Sequence, residues 1–239
     1  MNLVSDTIGW LTTAENWWGN FGIANRLVEH IRYSLSAIVV ATLIALPLGL
    51  WLGHLRRFGT LAINVANLGR ALPSFAIIAF TFTIFGLDEL PFGGPKTVFV
   101  ALVALAIPPI LINAYTGMAE VPDGVRDAAR GMGHTGFEQV RSVELPNALP
   151  LVLAGIRTSA VQVIATATLA ALVGAGGLGR FIIDGMAIQD DAQLAGGAIL
   201  VAALAIVTEL GFAGLQRFAV SPGVRARAPK GAPVAPYPS

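Results

Sequence analysis

The sequence predicts an all-α fold, a polytopic membrane helical bundle with five transmembrane helices and six as the alternative count. Hydrophobic residues make up 55% of the 239. Charged residues make up only 12%, about half the ~25% of a soluble domain. The few charges are spaced so that uncharged, mainly apolar runs of about 20 residues lie between them, the length a bilayer-spanning helix needs. The mean hydropathy is +0.71. These runs lack the period-2 alternation of a membrane barrel. The composition also excludes disorder. The absence of cysteine excludes a disulfide scaffold, thiolate metal ligands and a cysteine nucleophile. A net charge of +1 leaves no footprint for nucleic acid.

In chain order, residues 1–32 read as an N-terminal extracytoplasmic interfacial segment. Met1 to Gly22 has no positive n-region and no compact apolar core, so it does not read as a secretory signal. Trp10, Trp17 and Trp18 favour the membrane–water interface, and Glu15 to Arg32 is expected to form an interfacial helix. Residues 33–218 form the transmembrane domain. Tyr33–Gly53 is the first charge-free span. Leu61–Leu87 is interrupted by Arg70 and Pro73, and reads either as one broken span or as a short amphipathic helix followed by a span. Thr97–Ala119, Thr158–Gly179 and Ala192–Thr208, the last continuing apolar to Leu215, complete the set. Residues 219–239, rich in Pro, Ala and Gly, are expected to be a disordered tail.

Arginine and lysine set the expected orientation. With the N-terminus outside, Arg56, Arg57, Arg126, Arg130, Arg141, Arg217, Arg225, Arg227 and Lys230 fall on the cytoplasmic side. Only Arg26, Arg32, Lys96 and Arg180 fall outside. Arg70 and Arg157 then lie at membrane depth, and Glu209 near a span end is placed to pair with an arginine such as Arg217.

The longest polar insertion, residues 120–147, would be cytoplasmic. Val125, Ala128, Ala129 and Met132 have helical spacing, Gly131, Gly133 and Gly136 interrupt it, and Pro146 is expected to close it. The expected product is a short helix across the cytoplasmic face, with Ala128 and Ala129 open to a close partner, and a second polar helix leading back.

Within this loop, Asp127-Ala128-Ala129, three residues, Gly133, nine residues and Val143-Glu144-Leu145-Pro146 resemble the EAA loop of ABC importer permeases, whose pattern is Glu-Ala-Ala, three, Gly, nine, Ile-x-Leu-Pro. Every spacing matches; Asp127 for Glu and Val143 for Ile depart conservatively. Gly155-Ile156-Arg157-Thr158 and the run from Ala167 to Gly179 resemble the osmoprotectant branch of these permeases, which carries glycine betaine, carnitine or choline. Tyr115-Thr116-Gly117 and Ala129-Arg130-Gly131-Met132-Gly133 do so too. Arg70-Ala71-Leu72-Pro73 is similar to methionine importers, so an amino-acid importer stays open.

The resemblance implies a type I importer permease in a bacterial cytoplasmic (inner) membrane, N-terminus outside and C-terminus cytoplasmic. It implies cytoplasmic ATPase subunits that hold ATP and Mg, an extracytoplasmic substrate-binding protein, and a second permease subunit, identical or a paralogue. Asp127, Ala128, Ala129, Gly133, Val143, Leu145 and Pro146 would make the ATPase-coupling loop. No cofactor is expected on this chain, since neither Lys96 nor Lys230 sits in a phosphate loop. Arg70, Pro73 and Asn113 are candidate pathway residues, and Gly174, Gly176, Gly177 and Gly179 a candidate gate. The literal Gly174-x-Gly176-x-x-Gly179 match to a dinucleotide fingerprint fails, because it ends a span and follows no strand. Gly49-x-x-x-Gly53 reads as a packing seam before a dimer seam. His30, His54 and His134 do not cluster, so no metal centre is expected. An ion-coupled secondary transporter would want internal repeats and membrane-embedded carboxylates, and a membrane enzyme a catalytic constellation; neither set is visible.

Overall fold

The structure is a computed structural model that describes residues 2–56, 59, 63–64, 67–69, 72–91 and 94–220. Arg70 and residues 221–239 of the expected tail lie outside the described residues, while Ala219, the first residue of that tail, is helical. Helix α1 (Leu3–Thr12) and a 3-10 turn (Ala14–Asn16) precede α2 (Ile23–Leu55). The helix expected over Glu15–Arg32 is not a separate element. Nothing between Ile23 and Tyr33 breaks a helix, so these residues form the first turns of α2, where Arg26 and Glu29 pair one turn apart at 2.8 Å. At 33 residues, α2 is about 50 Å long, more than the roughly 30 Å hydrocarbon core. Trp10 and Trp17 pack over this end, with Trp10 edge-on to Phe181 and the Trp17 indole donating to the Leu11 carbonyl; Trp18 stays exposed.

The interrupted second span is described in part. Helix α3 (Ser74–Phe85) starts directly after Pro73, and α4 (Lys96–Ala119) follows. A Cβ on Gly59 would overlap Tyr115, one on Gly69 would lie 3.5 Å from Pro108, and the Thr81 hydroxyl reaches the Thr97 carbonyl at 3.2 Å. Those partners descend along α4 in order, so the described residues from Gly59 to Phe85 run antiparallel to it. Among the described residues, four helices are long and apolar enough to span alone; α3, with 12 residues, is too short.

Helices α5 (Asp123–Gly131) and α6 (Gly136–Gln139) form the polar loop. A π-helical turn (Val140–Glu144) then leads without a break into α7 (Leu145–Ala167), which ends as a 3-10 segment (Thr168–Val173). This corrects two expectations. The span expected over Thr158–Gly179 begins near Leu145 instead. Pro146 does not close the loop helix but lies in the first turn of α7, where its missing N–H costs least. Helix α8 (Gly179–Ile188) and α9 (Asp191–Ala219) complete the chain, with the Asp190 carboxylate capping α9 at Gln193.

Helices α2, α4 and α7 make the core, through Ala37, Ala41 and Ala45, Leu102, Ala106 and Ile110, and Ala160, Val163 and Ala167. Gly49 and Gly53 turn to α4 within the same chain: a Cβ on Gly53 would lie 2.6 Å from both the Met118 Cβ and the Tyr115 carbonyl. Gly155 on α7 meets Asn113 and the Pro109 carbonyl of α4 in the same way. These contacts run α2 and α4 parallel and α7 antiparallel to both. Helix α9 is tied to α7 by the Arg157–Glu209 ion pair and by Gln216 Nε2 donating to the Pro150 carbonyl at 3.2 Å. Glu209 thus has Arg157 as an ion-pair partner. The outer faces of α2 and α9 expose Val39, Leu43, Leu48, Ile206, Val207 and Leu210, an apolar surface that only lipid or another subunit can cover.

The α2–α4 seam is tight enough to be tested directly. Gly53→Val should destabilise the purified protein by about 1–3 kcal/mol through overpacking, read as a lower melting temperature in detergent. Gly211→Val, at a position with open space around the Cβ, should leave the melting temperature close to the native value.

Candidate functional site

Two polar sites lie at opposite ends of α2. The first is the loop after α4. Helix α5 advances about 100° per residue, so its motif residues divide between two sides. Asp127 and Ala128 face outward with Gly124 and Gly131, while Ala129 is buried against the membrane domain. Ala128 and Ala129 therefore do not share one open surface. Met132 and Phe137, 71% and 73% exposed, rim the outward face. Asp127 already has a cation, Arg130, at 3.4 Å.

Gly133 ends α5 in a Schellman turn. Its φ is +85°, its N–H bonds the Arg130 carbonyl at 2.9 Å, and the His134 N–H reaches back to the Ala129 carbonyl at 3.1 Å. Glycine takes this left-handed conformation without the clash that a Cβ brings. The motif glycine is thus a backbone requirement, since open space surrounds it. Thr135 and Glu138 then form a reciprocal capping box that starts α6. Val143 and Leu145 are half-buried and Pro146 is exposed.

Beneath the loop lies a buried polar joint that sequence reasoning missed. Glu144, the variable position of the motif, is fully buried. One carboxylate oxygen accepts from Gln139 Nε2 at 2.7 Å, the other from His54 Nδ1 at 2.8 Å. Arg126 Nε lies 3.3 Å from Glu144 Oε1, off the axis of a hydrogen bond. Its other nitrogens donate to the Met118 carbonyl at 2.7 Å and the His54 carbonyl at 3.1 Å. Burial pulls the Arg126 guanidinium below its ordinary value and the Glu144 carboxylate pushes it back; an arginine stays charged regardless. Arg56, one residue past α2, pairs with Asp123 and donates to the Val121 carbonyl. The joint thus gathers the ends of α2 and α4, helix α5 and the start of α7. The signal in the sequence was a π-turn carboxylate one residue before Leu-Pro, which spacing alone did not distinguish.

The second site is the glycine turn after α7. Gly174 and Gly177 have φ of +83° and +91° and reverse the chain. A Cβ on Gly176 would overlap Glu29, and one on Gly179 the Thr168 carbonyl. The turn is clasped by α2. Glu29 accepts from the Gly177 N–H at 2.9 Å. His30, fully buried, accepts from the Leu178 N–H at 3.3 Å through Nδ1 and donates from Nε2 to the Ile164 carbonyl at 3.0 Å. That pattern requires the neutral Nε2–H tautomer. Glu29, His30 and Arg26 were not among the expected site residues. Of the expected pathway residues, Pro73 caps α3, and Asn113 donates to the Pro109 carbonyl at 2.8 Å inside the α4–α7 seam. Neither lies with the glycine turn.

The family described as binding-protein-dependent transport system inner membrane component matches residues 45–222. The glycine betaine/carnitine/choline transport system permease protein of Bacillus subtilis is 37% identical over 197 residues, 82% of this chain and 88% of the relative. The choline transport system permease protein of the same organism is 40% identical over 189 residues, 79% and 84% of the two chains. The osmoprotectant import permease protein of Salmonella typhimurium is 32% identical over 203 residues, 85% and 94%. Among solved structures, a chain of the inward-facing MetNI methionine ABC transporter superposes with a TM-score of 0.69 at 23% identity, covering 83% of this chain and 96% of that one. That likeness is one of fold.

The Schellman turn gives a local test. Gly133→Ala should cost about 1–2 kcal/mol and speed amide exchange at His134. Gly136→Ala, at the first position of α6 in open space, should leave that exchange rate unchanged.

Proposed function

Because the chain belongs to the binding-protein-dependent transport system inner membrane component family, we propose that it forms the membrane pathway through which a quaternary ammonium osmoprotectant, such as glycine betaine, choline or carnitine, is imported. As a permease subunit it is a multi-pass inner-membrane protein and not an enzyme; the ATPase activity of such importers lies in a separate subunit. The relatives named for these solutes, at 37% and 40% identity, support the substrate class. A trimethylammonium group is commonly recognised by an aromatic cage. That cage would belong to the extracytoplasmic binding protein, so the permease itself need not carry one.

In this reading the loop end of α2 is cytoplasmic and the glycine turn faces out. A cytoplasmic ATPase subunit, holding ATP and Mg, receives α5 through Asp127, Ala128 and the glycines beside them. The observation that carries this is the outward face of α5: short side chains, rimmed by Met132 and Phe137, on a helix pinned to three span ends. Leu145 and Val143 seat the start of α7 beneath it. The turn Gly174–Gly179 forms part of the outer gate, and a second permease subunit, identical or a paralogue, covers one of the exposed apolar faces. Arg70 and Pro73 are its proposed pathway residues. Arg70-Ala71-Leu72-Pro73, similar to methionine importers, favours an amino acid as the second reading.

Uptake of radiolabelled glycine betaine by cells holding the full transporter should be competed by choline or carnitine and not by methionine; competition by methionine alone would select the second reading. Uptake should vanish with a catalytically dead ATPase. A bulky residue at position 133, Gly133→Leu, should lower ATP-driven uptake at least tenfold while the permease stays in the membrane, checked by uptake against membrane abundance. Uptake driven by a proton gradient without any ATPase would overturn the proposal.

A further inference from the structure

The loop reaches α4 through the chain at Glu120–Pro122 and reaches α7 through a continuous helix. Among the described residues it reaches α2 through side chains, Arg56 pairing with Asp123 just past the helix end. One route is a polar chain from the motif acid: Asp127 to Arg130 at 3.4 Å, Arg130 to Gln139 at 3.4 Å, Gln139 to Glu144 at 2.7 Å, Glu144 to His54 at 2.8 Å. Arg126 braces this chain, with Nε 3.3 Å from Glu144 and another nitrogen donating to the His54 carbonyl. His54 is separated by 24 positions of α2 from His30, about 36 Å of helix. At that far end Glu29 and His30 hold the backbone of Gly177 and Leu178. One helix thus has a side-chain grip on each of the two candidate sites.

Stability alone is a weak account of the loop-end joint. Replacing a buried ion pair by apolar residues of similar volume is often neutral or stabilising. What a hydrogen-bonded pair supplies is a defined register between the groups it joins.

We propose that α2 is a push rod in which Glu144, Arg126 and His54 transmit displacement of α5 to the helix, and Glu29 and His30 deliver it to the glycine turn. Glu144 and His54 are positioning residues; neither is asked to touch the solute. The linkage rests on the reading of α5 as the ATPase-docking helix and of the turn as part of the outer gate.

The chain has no cysteine, so one introduced thiol is a clean reporter. Ala175 sits in the turn and is buried. Ala175→Cys is labelled with a membrane-impermeant maleimide in the complete transporter, with and without trapping by ATP and vanadate. Trapping should change the labelling rate about tenfold, within the range of ordinary coupling between sites. Glu144→Gln, His54→Ala and Glu29→Gln should each reduce that response below about twofold while the ATPase still copurifies. His54→Asn, whose amide can donate where Nδ1 does, should restore it, which a general loss of stability would not allow. His54→Ala keeps the test informative if Glu144→Gln fails to reach the membrane. A native-sized response in His54→Ala overturns the linkage. So does a turn that does not respond in the unaltered background while uptake proceeds. If the ATPase does not copurify with the unaltered chain, the docking reading itself has failed, and the push rod with it.

Discussion

Lipid offers helices no hydrophobic reason to associate, so what holds a membrane bundle together is close packing and the polar contacts that close packing permits. Here α2, α4 and α7 approach along Gly49, Gly53, Gly117 and Gly155, where a Cβ would run into backbone or Cβ atoms of the neighbour. This approach sets the height of each helix against the others. It brings the carbonyls of His54 and Met118 within reach of a single guanidinium, that of Arg126. It also brings His30 beside the chain that leaves α7. Had α2 and α4 been held apart by ordinary side chains, Arg126 could not bond both helix ends, and Glu144 would be a buried carboxylate short of a partner.

The features that were legible in the sequence are those encoded by composition or by fixed spacing. Charge-free runs marked the spans, and the interval from Asp127 to Pro146 marked the loop. Gly133 was legible as a motif residue, although its reason, a left-handed turn, needed the backbone. Pro146 misled because a proline reads as a stop, whereas in the first turn of a helix it is compatible with continuation. The start of α7 was consequently placed too late. Arg157 and Glu209 were both noticed as costly in lipid, but a pair 52 positions apart is set by how α7 and α9 cross, which no local pattern carries. Glu29 and His30 were hidden in the same way: their partners are backbone N–H groups 148 positions away, and backbone groups leave no trace in residue identity.

Ionisable groups in this chain are placed according to what they can pair with. At the two ends of α2, Glu144 meets three side chains and His30 bonds two backbone groups. Between them the seam is mostly alanine, glycine and aliphatic residues, with the Ser159 hydroxyl donating to the Ala106 carbonyl at 3.0 Å. The Arg157–Glu209 pair is the exception, being 32% and 40% exposed on the α7–α9 surface. Such a pair tolerates membrane depth because each charge answers the other, and it fastens the helix that buries least of itself.

The nine-residue interval between Gly133 and Val143 then has a physical meaning. It holds the Thr135 cap, the single turn of α6 and most of the π-turn. A π-turn takes up one more residue than an α-turn before the helix repeats, and each residue of an α-helix rotates the side-chain direction by about 100°. Shortening the interval by one residue would therefore swing Glu144 out of the joint by roughly that angle and bring Leu145 to the place it leaves. Lengthening it by one would put Val143 there instead. In this chain that count of residues aims the Glu144 carboxylate into the joint, at the position the motif leaves open.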